Sequence, residues 1–242
     1  MEFYIINLLY FIIAIPIVLI TFPILSKLCK DKRFLSIIIV LSLLLFSVRF
    51  ILIIFQDTIG IMPYLIEDVV FYSLLMIFGV IFTWFYVFKI EKVSFKEIGG
   101  NVENVKKSII YGLLAYIPLL CLLPLMRFLT NIHITFNITP GKIIVAVAFA
   151  VLAGFYEEIM FRGIIQNHFM EITENNIKKT ILLTSITFTV THMFYLPFAG
   201  FGIYYIFVFI MGLILSFLRV KFDLLACSIL HSGIVFILIV FV

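Results

Sequence analysis

The sequence predicts an all-α fold, specifically a polytopic transmembrane helix bundle of about eight spans. Of its 242 residues, 64% are hydrophobic and 12% are charged, whereas soluble domains average about 45–50% apolar and 25% charged residues. Its mean hydropathy is +1.28. The apolar residues also fall into runs of roughly 20, the length with which a helix crosses a hydrocarbon core. A soluble fold could not bury this much apolar surface.

Each apolar run is long enough, or nearly long enough, to span a bilayer as a helix. The sixth and seventh runs have an alternative interpretation as one re-entrant pair around Leu196, Pro197 and Gly200. The simplest organisation is a single membrane domain over residues 1–242. The runs are 4–26, 34–55, 65–88, 108–129, 143–166, 180–197, 199–218 and 222–242.

Basic residues cluster after the odd-numbered runs. The positive-inside rule therefore places these connections in the cytoplasm and both termini outside a cell membrane. Because the basic residues lie in short clusters between apolar runs, we expect membrane lipid and no nucleic acid as a partner. The clusters are Lys27, Lys30, Lys32 and Arg33; Lys89, Lys92, Lys96, Lys106 and Lys107; Lys178 and Lys179; and Arg219 and Lys221.

The connection from Lys89 to Lys107 is the longest polar one and has two interpretations. The apolar residues between the charges recur at near-helical spacing, which is typical of a helix lying flat among lipid headgroups. They are Phe95, Ile98, Val102 and Val105. The other interpretation is a solvated loop attracted to anionic lipid.

Ionisable residues are concentrated in the fifth run. A charge at mid-bilayer costs roughly 2.5–3.5 kcal/mol, so such residues are functional candidates by default. The fourteen apolar residues from Ile143 to Tyr156 cover only about 21 Å of a roughly 30 Å core, so the spanning helix must carry Glu157, Glu158 and Arg162 inside. The spacing of Glu158 and Arg162 favours a bracing ion pair. Glu157, turned about 100° from them in an α-helix, is a candidate general base.

Two histidines lie in other runs. His192 follows a hydroxyl-rich stretch of the sixth run, and His231 lies in the last run with Cys227 and Ser228 on nearly the same face. The predicted topology places Glu157, His192 and His231 at cytoplasmic depths of roughly 20, 20 and 15 Å. A carboxylate and two imidazoles at one level can activate water directly. They are also a sufficient ligand set for an open zinc site.

These residues form ordered motifs that resemble a known family. Glu157-Glu158-x-x-x-Arg162, then Phe188-x-x-x-His192, then His231 are similar to the motifs of the CAAX protease and bacteriocin-processing family, also called CPBP or Abi proteins. The resemblance covers a protease core at about residues 143–235.

The resemblance implies an intramembrane endopeptidase that cleaves near the cytoplasmic membrane face. Glu157 would activate water, and His192 and His231 would stabilise the oxyanion or, with Glu157, bind zinc. Glu158, Arg162 and Phe188 would support them. The implied partner is a peptide or protein substrate, with or without a prenyl group.

One departure from the family pattern keeps a second interpretation open. The family usually places Asn four residues after the last histidine, where this chain has Val235. A lost oxyanion donor lowers rates by about a hundredfold or more, so a catalytically impaired membrane scaffold or bacteriocin immunity protein is the alternative. A proton-coupled transporter ranks last, because the halves of the chain show no inverted repeat.

Overall fold

A computed structural model describes Arg33, Ile37, Ile77 and residues 79–81, 83–130, 138–192 and 203–241. The chain divides into two compact units, Met1–Phe71 and Tyr72–Val242. Arg33 and Ile37, the described residues of the first unit, are both helical. The described residues contain helices and no strand, which confirms the all-α prediction for them. The expectation of one membrane domain stays a prediction.

The helices that position the candidate site all belong to the second unit. A π-helical segment, Tyr86–Glu91, precedes them. They are α1 (Val105–Leu114), α2 (Tyr116–Thr130), α3 (Pro140–Ile172), α4 (Ile177–His192), α5 (Ile203–Lys221) and α6 (Leu224–Phe241).

Within the described residues, three helical stretches have the length and apolar composition to cross a membrane. They are Val105–Leu122, Pro140–Ile172 and Tyr204–Lys221, and the apolar Leu224–Val240 is slightly shorter. These stretches support the prediction that the chain is a membrane protein. The count of eight spans stays a prediction, since the first run, the second run except Ile37, and the turn around Leu196 lie outside the described residues.

Polar side chains set the helix starts. Thr139 Oγ1 accepts a hydrogen bond from the Lys142 amide at 3.2 Å, ahead of Pro140 at the first position of α3. Asp223 Oδ1 accepts one from the Ala226 amide at 3.0 Å at the start of α6. Such caps satisfy amides that have no partner within the helix.

Pro118 and Pro124 of the fourth run predict a kinked span, and the helical stretch Val105–Leu122 is interrupted at one turn residue, Ala115. α1 ends at Leu114, and α2 begins at Tyr116 after the turn residue Ala115. Pro118 therefore falls in the first turn of α2, where its missing N–H costs nothing. Pro124 lies inside α2, as expected.

α3 departs from a regular α-helix in the part that carries the motif. Leu152–Glu157 and Ile159–Ile165 are π-helical, with i→i+5 pairing, a form often found at functional sites. A π turn holds more residues than an α turn. The prediction of a regular α-helix was therefore wrong for these two segments.

Small residues let the helices around the site approach closely. A methyl group at Gly154 of α3 would overlap Ser232 Oγ of α6 and lie 2.9 Å from the Ser228 carbonyl oxygen. Gly212 of α5 lies similarly against Ser185 of α4, at 3.3 Å. Close backbone approach through small residues is the usual way in which membrane helices pack. It brings α6 against the π-helical part of α3.

Residues 92–104, here called the strap, connect the third run to α1 without forming a helix. Ile98 is 1% exposed, and its Cβ lies 3.1 Å from where a methyl group on Gly163 would be. Hydrogen bonds with Ser94 lower the pKa of Glu97 below its ordinary value. The strap is thus neither a flat amphipathic helix nor a fully solvated loop, because Ile98 docks onto α3.

Candidate active site

Three helices bring Glu157, His192 and His231 together. Glu157 Oε2 lies 3.9 Å from His192 Nε2 and 3.9 Å from His231 Nε2. The side chains come from α3, α4 and α6 and meet on the inside of the helix cluster. The sequence predicted this meeting from depth alone. The catalytic roles of the three residues stay predictions.

The outer nitrogen of each imidazole is occupied by a neighbour. His192 Nδ1 lies 2.8 Å from the Phe188 carbonyl oxygen, and His231 Nδ1 lies 2.6 Å from Glu158 Oε1. A carbonyl oxygen can only accept, so the His192 Nδ1 carries the hydrogen. A carboxylate likewise accepts from His231 Nδ1–H. Both Nε2 atoms are thereby turned towards Glu157 Oε2, at 3.9 Å each.

Behind His231 lies a buried ion pair. Arg162 Nη1 donates to Glu158 Oε1 at 3.0 Å, and the exposed fraction of both side chains is 0%. Glu158 Oε1 therefore bridges the guanidinium and the His231 imidazole. The predicted pairing of Glu158 with Arg162 is present, and its contact with His231 makes it a brace for one of the three central groups.

Phe188 packs at the centre of the aromatic contacts. Its ring centroid lies 4.4 Å from that of His192 and 5.5 Å from that of His231. The Arg162 Cζ lies 4.3 Å from the Phe188 ring centroid, a cation–π distance. Phe188 is 0% exposed. It holds both imidazoles apart and covers the guanidinium, which fits the predicted supporting position.

Exposure decreases from Glu157 inward. The side chain of Glu157 is 28% exposed, that of His192 13%, and that of His231 1%. The Glu157 side chain is thus the most exposed of the three, although its Oε2 atom is buried, and the Glu158 side of the site is closed. This asymmetry suits a general base that must meet water.

Other sequence-predicted residues lie apart from the central three. Cys227 Sγ lies 3.3 Å from the carbonyl oxygens of Leu215 and Asp223, so its contacts are with backbone. Val235 is half-buried and carries no hydrogen-bond donor. The sequence also predicts an interhelical ion pair of Arg49 with Glu67 and Asp68, and a solvated His133. These four residues lie outside the described residues.

The structure also places groups that sequence reasoning missed. His168 lies near the cytoplasmic end of the fifth run, where the sequence predicts a solvated residue. It is instead partly buried and lies 3.4 Å from Glu91, because the segment Tyr86–Glu91 packs beside the end of α3. Arg219, read as a topology signal, donates to a backbone oxygen of α3. Nothing in the sequence distinguishes such residues from other charges at a membrane interface.

A tetrahedral zinc site needs ligand atoms that lie closer together than those of Glu157 and the two histidines. Two ligands about 2.0–2.1 Å from one tetrahedral zinc lie about 3.3 Å apart, while both Glu157–histidine distances here are 3.9 Å. Among the described residues, no group of three or more His, Cys, Asp or Glu side chains is arranged to hold a metal ion. The donor types suit zinc, but their placement does not fit it.

The site belongs to the class in which ionisable side chains from several apolar helices meet at one point, here Glu157, His192 and His231. Comparison with protein families sharpens this class. Residues 139–237 match the family model described as Type II CAAX prenyl endopeptidase Rce1-like, which confirms the CPBP resemblance. The matched segment contains Glu157, His192 and His231. No curated protein and no solved structure matches the chain.

Proposed function

We propose that the protein is an intramembrane endopeptidase in which Glu157 activates the attacking water. The observation that carries the proposal is the convergence of His192 and His231 on Glu157 at 3.9 Å each, inside the segment that matches the CAAX endopeptidase family. General bases act on water held within hydrogen-bond reach. A water bound beside Glu157 would also lie near both imidazoles.

The proposed reaction proceeds in two steps. Glu157 takes a proton from water as the water oxygen attacks the peptide carbonyl carbon. The π electrons of the carbonyl group move to the carbonyl oxygen, which becomes an oxyanion. A protonated Nε2 of His192 or His231 donates a hydrogen bond to that oxyanion. The C–N bond then breaks, and Glu157 returns its proton to the leaving amine. Glu158 and Arg162 hold His231 in orientation throughout.

We further propose a membrane-bound peptide or protein as substrate, with its scissile bond near the cytoplasmic face. The family match points to a chain ending in a prenylated CAAX sequence, from which the last three residues would be removed. The test is cleavage of a farnesylated CAAX-terminated peptide by purified protein in lipid vesicles. The same peptide without the farnesyl group tests whether the lipid is recognised.

Metal content distinguishes two versions of this mechanism. We expect purified protein to cleave the peptide equally well before and after dialysis against a strong chelator, because the 3.9 Å spacings are too wide for tetrahedral zinc. Elemental analysis of the same samples is the measurement. Stoichiometric zinc whose removal abolishes cleavage would replace this version by one in which Glu157, His192 and His231 bind zinc. Bound zinc would then polarise the peptide carbonyl or acidify the water.

Val235 provides a test of the second candidate, an impaired family member that acts as a scaffold or immunity protein. Val235 carries no polar group where the family usually has Asn. If the protein is an active peptidase slowed by the missing donor, Val235→Asn should raise kcat, by up to about a hundredfold. Ile239→Asn, at another half-buried apolar position of α6, is the control.

The outcome that favours the scaffold is specific. It requires no cleavage by wild type or by Val235→Asn. It also requires that variants of Glu157 and His192 complement a gene deletion as well as the wild type does.

A further inference from the structure

One backbone carbonyl of α3 has no amide partner within the helix, at the point where the second π-helical segment ends. The Gln166 amide pairs in π register with the Phe161 carbonyl, and Gln166–Ile172 then continues as an α-helix. The return from i→i+5 to i→i+4 pairing skips the carbonyl of Arg162. A carbonyl that is buried and unpaired costs roughly 1–3 kcal/mol, so this junction needs a donor from elsewhere.

Arg219 of α5 supplies that donor. Its Nε donates to the Arg162 carbonyl oxygen at 3.2 Å, and its Nη2 lies 3.5 Å from Asn167 Oδ1. One guanidinium thus contacts the residues on both sides of the junction. The planar fork of an arginine suits two acceptors placed side by side.

The strap covers the other face of the Arg219 guanidinium. Gly99 has a φ of +83°, and a methyl group added there would overlap the guanidinium. Asn167 Nδ2 donates to the Glu97 carbonyl oxygen at 3.0 Å, and the Leu224 amide donates to that of Gly99 at 3.3 Å. Contacts among the strap, α3, α5 and α6 therefore surround Arg219. These contacts fix the position of its guanidinium.

A short series of contacts joins this junction to the candidate site. The backbone of Arg162 is held by Arg219, and its side chain donates to Glu158 Oε1 at 3.0 Å. Glu158 Oε1 in turn lies 2.6 Å from His231 Nδ1. His231 Nε2 faces Glu157 at 3.9 Å. A change of register at Arg162 would rotate the guanidinium and release this series of contacts.

We infer that Arg219 is a positioning residue for the proposed reaction: it holds the junction of α3 at Arg162, and so keeps Glu158 and His231 oriented towards Glu157. The part of this inference that concerns catalysis rests on the proposed function. Its structural half, the support of the junction, stands without it. Arg219 lies at the end of α5 and is not among the residues proposed to contact substrate.

The test compares Arg219→Met with Lys221→Met, which removes the same charge from an exposed residue two positions further along α5. Hydrogen exchange of amides 159–168 in vesicle-embedded protein is the first readout. Loss of a charge-assisted hydrogen bond should speed exchange there about tenfold or more in Arg219→Met. We expect no change in Lys221→Met. Exchange in α1 should be equal in both and reports intact folding.

Cleavage of the farnesylated peptide is the second readout. Because Arg219 acts through His231, Arg219→Met should lower kcat about tenfold or more and leave KM within about twofold. Gly99→Ala is a second variant, which displaces the guanidinium without removing it. It should reproduce both effects in weaker form, even if Arg219→Met folds poorly.

The outcomes separate the two halves of the inference. Unchanged exchange at 159–168 in both variants overturns the support of the junction. Faster exchange with unchanged kcat overturns the positioning role and leaves the proposed function standing. Absence of cleavage by wild type, with faster exchange in the variants, contradicts the proposed function and the positioning role, while the support of the junction is retained.

Discussion

Replacing Glu157 with Gln should lower kcat for peptide cleavage by about a hundredfold to ten-thousandfold. This is the range that a general base contributes. Gln has nearly the same shape but cannot accept the proton of water. Gln is also nearly isosteric with Glu and removes a charge whose Oε2 atom is buried, so the substitution should not impair folding. Cleavage of the farnesylated peptide under saturating substrate is the measurement.

Two companion variants make this result specific. Glu103→Gln removes a carboxylate from the exposed end of the strap and should leave kcat unchanged. Glu157→Asp keeps the base but withdraws it by one methylene, so an intermediate rate is expected. If the Gln variant cleaves at the wild-type rate, Glu157 is not the base, and the proposed mechanism is wrong.

Replacing Arg162 with Met should destabilise the protein by about 3–5 kcal/mol, the usual cost of breaking a buried ion pair from one side. Arg162 and Glu158 are both 0% exposed. Without the guanidinium, the Glu158 carboxylate keeps His231 as its neighbour but loses its cation. The free energy of unfolding in mixed micelles, titrated with denaturant, is the measurement.

A double variant separates charge from packing. Glu158→Leu combined with Arg162→Met removes both charges and fills similar volumes, so it should recover much of the lost stability. It should not recover cleavage, because His231 then lacks its Nδ1 partner. Lys178→Met, an exposed residue at the start of α4, controls for loss of positive charge. A destabilisation below about 1 kcal/mol in Arg162→Met would mean that this pair is not a significant brace.

Much of the candidate site follows from the residues alone, for a reason that lies in the bilayer. Apolar solvent penalises every polar side chain, so Glu157, His192 and His231 are conspicuous within their runs. Helix rise converts their positions into depths. Depth can therefore predict that three groups share one level. It cannot predict the distance between them, which depends on how each helix is rotated about its axis.

The details that decide the chemistry came from tertiary packing. The carbonyl of Arg162, at the end of the π-helical part of α3, accepts a hydrogen bond from Arg219, which lies 57 residues away along the chain. The orientation of His231 depends on Glu158, a residue of another helix. No local pattern encodes these pairings. The docking of Ile98 is similar, since an isoleucine between charges has the same pattern in a surface helix and in a packed strap.

The sequence by itself determined the all-helical membrane class, the order of the motifs, and the set of ionisable residues that must avoid lipid. Hydropathy and helical rise are local quantities, so they can be read from the chain. The tertiary structure alone decided the 3.9 Å approach of both imidazoles to Glu157, the closed Glu158 side of the site, and the support of α3 by Arg219. Each of these depends on contacts between helices, where small residues such as Gly154 and Gly212 set how closely the backbones meet.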